Sequence, residues 1–296
     1  MILENRIPIK YFLEKIKWDL PIVTVFSTVI HFLSVYLSDH LDVPISIAAF
    51  LGTTIALILS FKLSQSYDRW WEARKIWGSI VNDSRSLVIQ LKNFTSNKDP
   101  EAVKKIAYRQ IAWSYALGKK LRKLEPCENL DQFINTDELK TARSFSNPPL
   151  TMLDSQSKEI ADLHKNELIN NFQQIQLDNT VVRMVASMGK AERIKNTVFP
   201  KTYRMTLHFS VYIFLVFLSF SLTGLHSLVE IPLLIVISIP FLLLEKVALS
   251  IQDPFENKPS DTAMTSIART IEINIKELLG EDNIPDPIKS DTFYQL

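Results

Sequence analysis

Glycine, cysteine and histidine are scarce in this chain of 296 residues, and their scarcity excludes several kinds of site. The six glycines are too far apart for a phosphate-binding loop or a dinucleotide fingerprint, which argues against an ATP-driven pump. The single Cys127 permits no disulfide within the chain. The five histidines show no ligand-like pairing, and no serine lies in a nucleophile elbow. We therefore expect no enzyme activity, no cofactor and no metal site.

Charge is nearly absent from four long blocks of the sequence. A helix that crosses the hydrocarbon core of a bilayer needs about 20 predominantly apolar residues, and a core helix of a soluble protein seldom runs that long without charge. The blocks predict transmembrane helices at 20–37, 43–61, 205–229 and 231–251. Charged residues such as Glu4, Arg6 and Lys10 leave no early apolar core, so a cleaved signal peptide is not expected.

Basic residues are missing from the two short turns that would join these helices in pairs. The turns Ser38–Asp42 and Gly224–Glu230 contain no lysine or arginine, whereas the N-terminal arm, the central region and the C-terminal stretch contain many. The positive-inside rule therefore predicts a multi-pass membrane protein with both termini and Lys62–Arg204 on the cytoplasmic side.

The remaining regions have helical signatures, so the fold class is an all-α membrane protein. Apolar residues recur at helical spacing over 70–93 and 102–124, and the proline-free stretch 163–197 is predicted to be one long helix. Ser260 or Asp261 is predicted to cap a last helix that Gly280 closes. No Gly/Ser linker is present. We expect one integrated unit over 1–296, with cytoplasmic regions at 62–204 and 252–296.

The second predicted span carries a periodic face. Thr53, Leu57 and Phe61 follow one another at helical spacing, and Ser46 and Phe50 extend the same face outward. Four short spans cannot enclose an aqueous channel, but a ring of identical copies could line one with this face. Rings of Leu57 and Phe61 would then form a hydrophobic constriction. The equally weighted alternative is that the stripe packs against the other spans.

Few ionisable residues lie in the predicted spans. Glu245 and Lys246 lie near the cytoplasmic end of the fourth span, where we expect them to pair with each other or to reach the interface. His31 is expected to be a buried hydrogen-bonding residue, and its alternative role is a titratable group on an ion pathway.

Several segments together resemble the bestrophin channels, particularly their bacterial branch. Phe61 is followed eight residues later by Arg69, Trp70 and Trp71, and similar segments occur at 192–197 before Pro200 and after the last span. That last segment is Asp253, Pro254 and Phe255. The resemblance covers nearly the whole chain.

The resemblance implies a homopentamer around a central pore with a narrow neck and a wide cytoplasmic vestibule. Aligned on Arg69, the neck positions of the family correspond to Thr53, Leu57 and Phe61, and a cytoplasmic aperture corresponds to Phe172. The family is hydrophobic at all three neck positions, so Thr53 would make the outer ring wetter. Animal members bind calcium through an acidic run that is interrupted here over 256–261, so calcium control is not expected.

The implied function is passive conduction of small monovalent ions, with anions such as chloride preferred. One alternative is a cation-selective channel of the same architecture. Another is a membrane-anchored sensor or scaffold whose helical cytoplasmic region binds a partner, and a secondary transporter is the third. The expected partners are further copies of the chain, membrane lipid and small monovalent ions, and no nucleic acid.

Overall fold

A computed structural model describes residues 1–2, 7–40, 43–96, 98–197, 201–290 and 292–295. Within these ranges the chain forms ten helices and no named strand, apart from an isolated antiparallel bridge between Ile2 and Tyr294. The prediction of an all-helical chain is confirmed. The helices are α1 (Ile9–Ile16), α2 (Asp19–Leu37), α3 (Ile45–Thr95), α4 (Pro100–Leu121), α5 (Thr136–Ser144), α6 (Pro148–Lys165), α7 (Asn171–Asn196), α8 (Lys201–Ser221), α9 (Ser227–Gln252) and α10 (Met264–Leu279).

The chain divides into two compact units, and α3 contributes to both. One unit comprises Glu4–Trp70 and Val198–Asp253, and the other comprises Met1–Leu3, Trp71–Thr197 and Pro254–Leu296. The first is called the span unit below and the second the helical unit. Each has its own apolar core of buried side chains.

Four of the described helices, α2, α3, α8 and α9, are long and apolar enough to cross a membrane. The presence of four candidate membrane helices is thus confirmed. Many of their apolar side chains point outward, as expected for helices whose solvent is lipid rather than water. The buried core of the span unit includes Val23, Ile55, Leu59, Leu215 and Leu234.

Gly52 of α3 makes room for the ring of Phe214 on α8 inside the span unit. A Cβ atom built on Gly52 would lie 3.1 Å from the ring of Phe214, closer than normal packing accepts. Small residues at helix interfaces are the usual means by which membrane helices come close together. A side chain at this position would displace the Phe214 ring by a few tenths of an ångström, so the glycine serves packing here rather than backbone conformation.

The turn between α8 and α9 differs from the prediction. The sequence placed these spans at 205–229 and 231–251, whereas α8 ends at Ser221 and α9 begins at Ser227. Gly224 adopts φ +108° in the turn, and the ring of His226 caps α9 by accepting a hydrogen bond from a backbone N–H. Glu230 was taken as the end of an apolar block, but it is buried in the first turn of α9. Backbone capping sets the helix ends, and the spacing of charges does not.

The stretch 163–197, predicted as one helix, is divided in two. α6 ends at Lys165 and α7 begins at Asn171. Between them Glu167 has φ +58°, and the side chains of Asn170 and Gln173 form a reciprocal capping box at the start of α7. The absence of proline was therefore insufficient to predict continuity, because an asparagine cap starts a new helix equally well.

The last helix ends as predicted but begins elsewhere. Gly280 adopts the left-handed conformation at φ +73° directly after α10. At the other end the N-cap is Ala263, which makes no side-chain capping bond, so the predicted cap by Ser260 or Asp261 is wrong. Both of these side chains are buried in the turns that precede the helix.

Candidate functional site

The predicted pore face of α3 is exposed along its whole length. Its aromatic and aliphatic members are exposed by 71% at Phe50, 58% at Leu57 and 59% at Phe61, and Ser46 and Thr53 are exposed as well. The stripe therefore does not pack against the other spans of the same chain, and that alternative is wrong. The face is available to lipid, to water or to another copy of the protein.

The opposite face of the same helix packs into the span unit. Ala48, Ile55, Leu59 and Lys62 are buried and repeat at helical spacing. This division fixes the rotation of α3 about its axis, because a turn of the helix toward either side would expose core residues. The predicted pore residues are consequently presented on one continuous outward face.

The exposed face is not uniformly apolar. The hydroxyl of Thr53 donates a hydrogen bond of 2.9 Å to the carbonyl of Ala49, one turn earlier. This bond satisfies the hydroxyl proton and leaves the oxygen lone pairs free to accept from water. Ser60 and the small Ala56 are exposed on the same side. A face of this kind suits contact with water or with another helix better than contact with lipid tails alone.

Phe172, the predicted cytoplasmic aperture residue, lies in the first turn of α7 in the helical unit. Its side chain is 84% exposed. The burial of an exposed phenyl ring would be favourable by about 1.5–3 kcal/mol. The ring is thus free to face an aqueous path or a second copy.

The segments that carry the family resemblance meet at hydrogen bonds. The Arg69 Nε donates to the carbonyl of Gln252 at 2.9 Å, which joins the Arg69, Trp70 and Trp71 segment to the residue before Asp253. Lys195 donates to the carbonyl of the fully buried Phe255 at 3.0 Å.

These two bonds join positions that are more than 50 residues apart in the chain. Pro254 accepts a further bond from the N–H of Thr262 at 3.1 Å. Pro200, which follows the third segment in the sequence, lies outside the described residues. Arg69, Lys195, Pro254 and Phe255 therefore each take part in a hydrogen bond that links two segments of the chain.

A carboxylate is buried where α2, α8 and α9 come together. Glu230 is fully buried, its Oε2 lies 2.8 Å from His31 Nδ1, and its Oε1 accepts a hydrogen bond of 2.6 Å from Ser219. The predicted role of His31 as a buried hydrogen-bonding residue is confirmed. Glu230 itself was missed, because the sequence analysis assigned it to a turn.

Substitution of His31 should weaken the packing of these helices. In His31→Leu the Glu230 carboxylate would lose its ring donor without gaining access to water, so the free energy of unfolding should fall by about 1–3 kcal/mol. Denaturant unfolding of the protein in detergent measures the change. His40→Leu, in an exposed turn, is the matched control and should leave stability unchanged. Equal stability of both variants would contradict a structural role for this pair.

Glu245 and Lys246 do not pair with each other, contrary to the first expectation. The Oε2 of Glu245 lies 3.1 Å from His208 Nδ1, and Lys246 Nζ lies 2.9 Å from Asp19 Oδ2. Adjacent residues of a helix point about 100° apart, since there are 3.6 residues per turn, and each therefore meets a different neighbouring helix. The sequence offered one sign of this role for Asp19, because it is the charged residue directly before the apolar block 20–37.

Lys62, directly after the predicted neck, was also missed. Its side chain is fully buried, and its ammonium makes no hydrogen bond within the described ranges. The negative charge of Glu245 attracts the ammonium, and the positive charge of Arg204 repels it. The sequence contained no signal for this burial, because a lysine at the end of an apolar span is ordinarily expected to reach the interface.

The helical unit shows no feature of a metal or redox site in the part of the chain that the structure describes. No group of three or more potential ligands there could hold a metal ion. Lys258, which interrupts the acidic run of the C-terminal segment, pairs with Glu256. Cys127 is buried and reduced, and burial raises the pKa of its thiol. A thiol of this kind is unreactive at neutral pH.

Comparison with known proteins identifies relatives along nearly the full length. The voltage-dependent anion channel-forming protein YneE of Escherichia coli is 31% identical over 287 residues, which are 96% of this chain and 93% of that protein. A voltage-dependent anion channel-forming protein of Nostoc sp. is 30% identical over 251 residues, covering 81% of this chain and 80% of the relative.

The fold also matches solved structures. The crystal structure of a bacterial bestrophin homolog from Klebsiella pneumoniae superimposes with a TM-score of 0.83 at 26% identity, over 90% of this chain and 100% of that one. The family described as Bacterial/Fungal Bestrophin protein matches residues 11–277. The chain therefore belongs to the bacterial and fungal bestrophin family.

Proposed function

We propose that the protein is a passive channel for small monovalent ions that prefers anions such as chloride. One observation carries the proposal: relatives that cover nearly the whole chain are named as voltage-dependent anion channel-forming proteins. Family membership indicates a channel rather than an enzyme. Conduction needs no cofactor, which agrees with a sequence that contains neither a nucleotide-binding loop nor a nucleophile elbow.

The conduction path in this proposal runs along the exposed face of α3, contributed by each subunit of a homopentamer. Thr53, Leu57 and Phe61 form the neck, and Ser46 and Phe50 line the pore outside it. The mixture of polar and apolar side chains on this face supports the assignment, since ions cross a hydrophobic neck only where water can enter it. Phe172 forms a second aperture on the cytoplasmic side.

The proposed location is the cell inner membrane, with both termini and the regions 62–204 and 252–296 in the cytoplasm. The support is the absence of lysine and arginine from the turns at 38–42 and 222–226. The four spans are α2, the first part of α3, α8 and α9, and the whole chain acts as one channel unit. Its partners are four further copies, membrane lipid and the permeant ions.

Reversal-potential measurement in a planar bilayer tests conduction and ion sign together. Under a tenfold gradient of sodium chloride, the current through a channel selective for one monovalent ion reverses about 59 mV from zero. At that voltage the electrical force on an ion of unit charge balances a tenfold concentration ratio. We expect the current to reverse close to the chloride equilibrium potential.

Three other results would replace the proposal. Reversal close to the sodium equilibrium potential would identify a cation channel of the same architecture. The absence of current from intact oligomers in both gradient directions would favour a membrane-anchored sensor or scaffold. Saturable uptake coupled to a second solute would instead identify a transporter.

A further inference from the structure

A charged cavity of about 410 Å³ lies between α2, α8 and α9, within the span unit. It is separate from the exposed face of α3 that the proposed pore uses. Its polar lining consists of Asp19, Arg204, His208, Glu245 and Lys246.

Among the residues that the structure describes, Arg204 is left without a partner after the local pairing in this cavity. Asp19 is occupied by Lys246, and Glu245 is occupied by His208. In the described residues Arg204 has neither a hydrogen bond nor an ion pair, and its side chain is exposed. The cavity thus presents a free guanidinium beside two satisfied carboxylates, and it suits an anionic group.

The rest of the lining is apolar. Met205 is 57% exposed and Phe209 is 62% exposed, on the same helix as Arg204, and Leu249 faces them from α9. Apolar side chains beside a free cation suit a ligand that carries an anionic head and a hydrocarbon chain. A free inorganic ion would make no use of the apolar walls.

The depth of the cavity in the membrane suits a ligand with an anionic head and a hydrocarbon chain. Trp18 is 73% exposed and directly precedes Asp19 of the cavity, and Lys17 precedes Trp18. Exposed tryptophan next to lysine at the end of a span is typical of the membrane interface, where lipid headgroups lie. The cavity therefore opens at headgroup height.

We propose that this cavity binds an anionic phospholipid, with Arg204 contacting the headgroup phosphate and with Met205 and Phe209 contacting the upper acyl chain. A guanidinium matches two phosphate oxygens at once, which a lysine ammonium does not. The bound lipid would bridge α8 and α9 next to the buried Glu245 and Lys62. The proposal does not depend on ion conduction.

Native mass spectrometry of the full-length protein released from detergent tests the site. The probes are dioleoylphosphatidylglycerol and dioleoylphosphatidylcholine, titrated separately against wild type and variants. Arg204→Gln should weaken phosphatidylglycerol binding about tenfold, as expected for the loss of one charge-assisted contact. Arg204→Lys should lose less, because it keeps the charge. Phosphatidylcholine carries the same phosphate with a choline cation beside it, so its binding should be weaker than phosphatidylglycerol binding in wild type and should fall by a smaller factor in Arg204→Gln.

Lys10→Gln is the matched control, since Lys10 is an exposed cation of α1 that does not line the cavity. Equal losses in Lys10→Gln and Arg204→Gln would show only general surface attraction and would overturn the proposal. Equal affinity for the two lipids would overturn it as well. If inorganic phosphate displaces phosphatidylglycerol and stabilises the protein equally well without lipid, the ligand is a free phosphate instead.

Discussion

Shortening Leu57 to alanine is expected to raise the chloride flux about tenfold, which corresponds to a barrier lower by about 1.4 kcal/mol. Leu57 is exposed on the outward face of α3, between Thr53 and Phe61. In the proposed ring each subunit would remove one bulky side chain from the constriction. A wider and less apolar neck holds water more readily, and a hydrated ion then crosses it at lower cost.

Chloride efflux from liposomes, measured at equal protein density, gives the flux. Leu33→Ala is the matched control, because Leu33 is an exposed leucine of α2, 43% accessible, on a helix outside the proposed pore. It should conduct like wild type. Phe61→Ala should raise the flux as Leu57→Ala does, and Thr53→Val should lower it by making the outer ring apolar. Unchanged flux in Leu57→Ala, from oligomers of normal size, would place the pore elsewhere.

Replacement of Arg109 by alanine is expected to cost about 3–5 kcal/mol of unfolding free energy. Arg109 lies on α4 in the helical unit, and only 2% of it is exposed. Its guanidinium bonds to both carboxylate oxygens of Glu138, and one nitrogen lies 3.4 Å from Glu159. Without the arginine, Glu138 would have no cation within the described residues, in a position largely shielded from water, and the nearby Glu159 would keep only Lys105, at 2.7 Å.

Denaturant unfolding in detergent, followed by tryptophan fluorescence, measures this loss, since Trp77 and Trp113 are fully buried in the same unit. Lys158→Ala is the control. Lys158 pairs with Asp154 at 2.5 Å, but both side chains are largely exposed. Such surface pairs contribute little, so the control should change stability by less than about 0.5 kcal/mol. A similarly small change in Arg109→Ala would show that the two glutamates are solvated in solution.

Helices were easier to predict than their ends. The apolar blocks and the 3.6-residue spacing on α3 are local properties, and both can be recognised in the sequence. The ends of α6, α7, α8 and α9 depend on caps by single asparagine, histidine or glycine residues, which occur elsewhere without ending a helix. The proline-free and charge-free stretches used as guides carried no information about these caps.

The candidate site, too, could be predicted only in part from the sequence. Spacing alone was sufficient to place Ser46, Phe50, Thr53, Leu57 and Phe61 on one face, because residues at this spacing share a face of a helix whatever packs around it. Whether that face would be buried was left open, since burial depends on which helices pack on α3. The structure decided it by packing Ala48, Ile55 and Leu59 inward.

The sequence by itself determined the membrane-helix content, the shared face of α3 and the family, because these follow from the order of residues along short stretches. Only the tertiary structure decided which charges meet. Glu230 and His31 are 199 residues apart in the chain, and Lys246 meets Asp19 rather than its neighbour Glu245. An ionic partner is set by helix packing across long loops, and composition does not encode that packing. The same packing buries Lys62 and leaves Arg204 free beside an apolar wall.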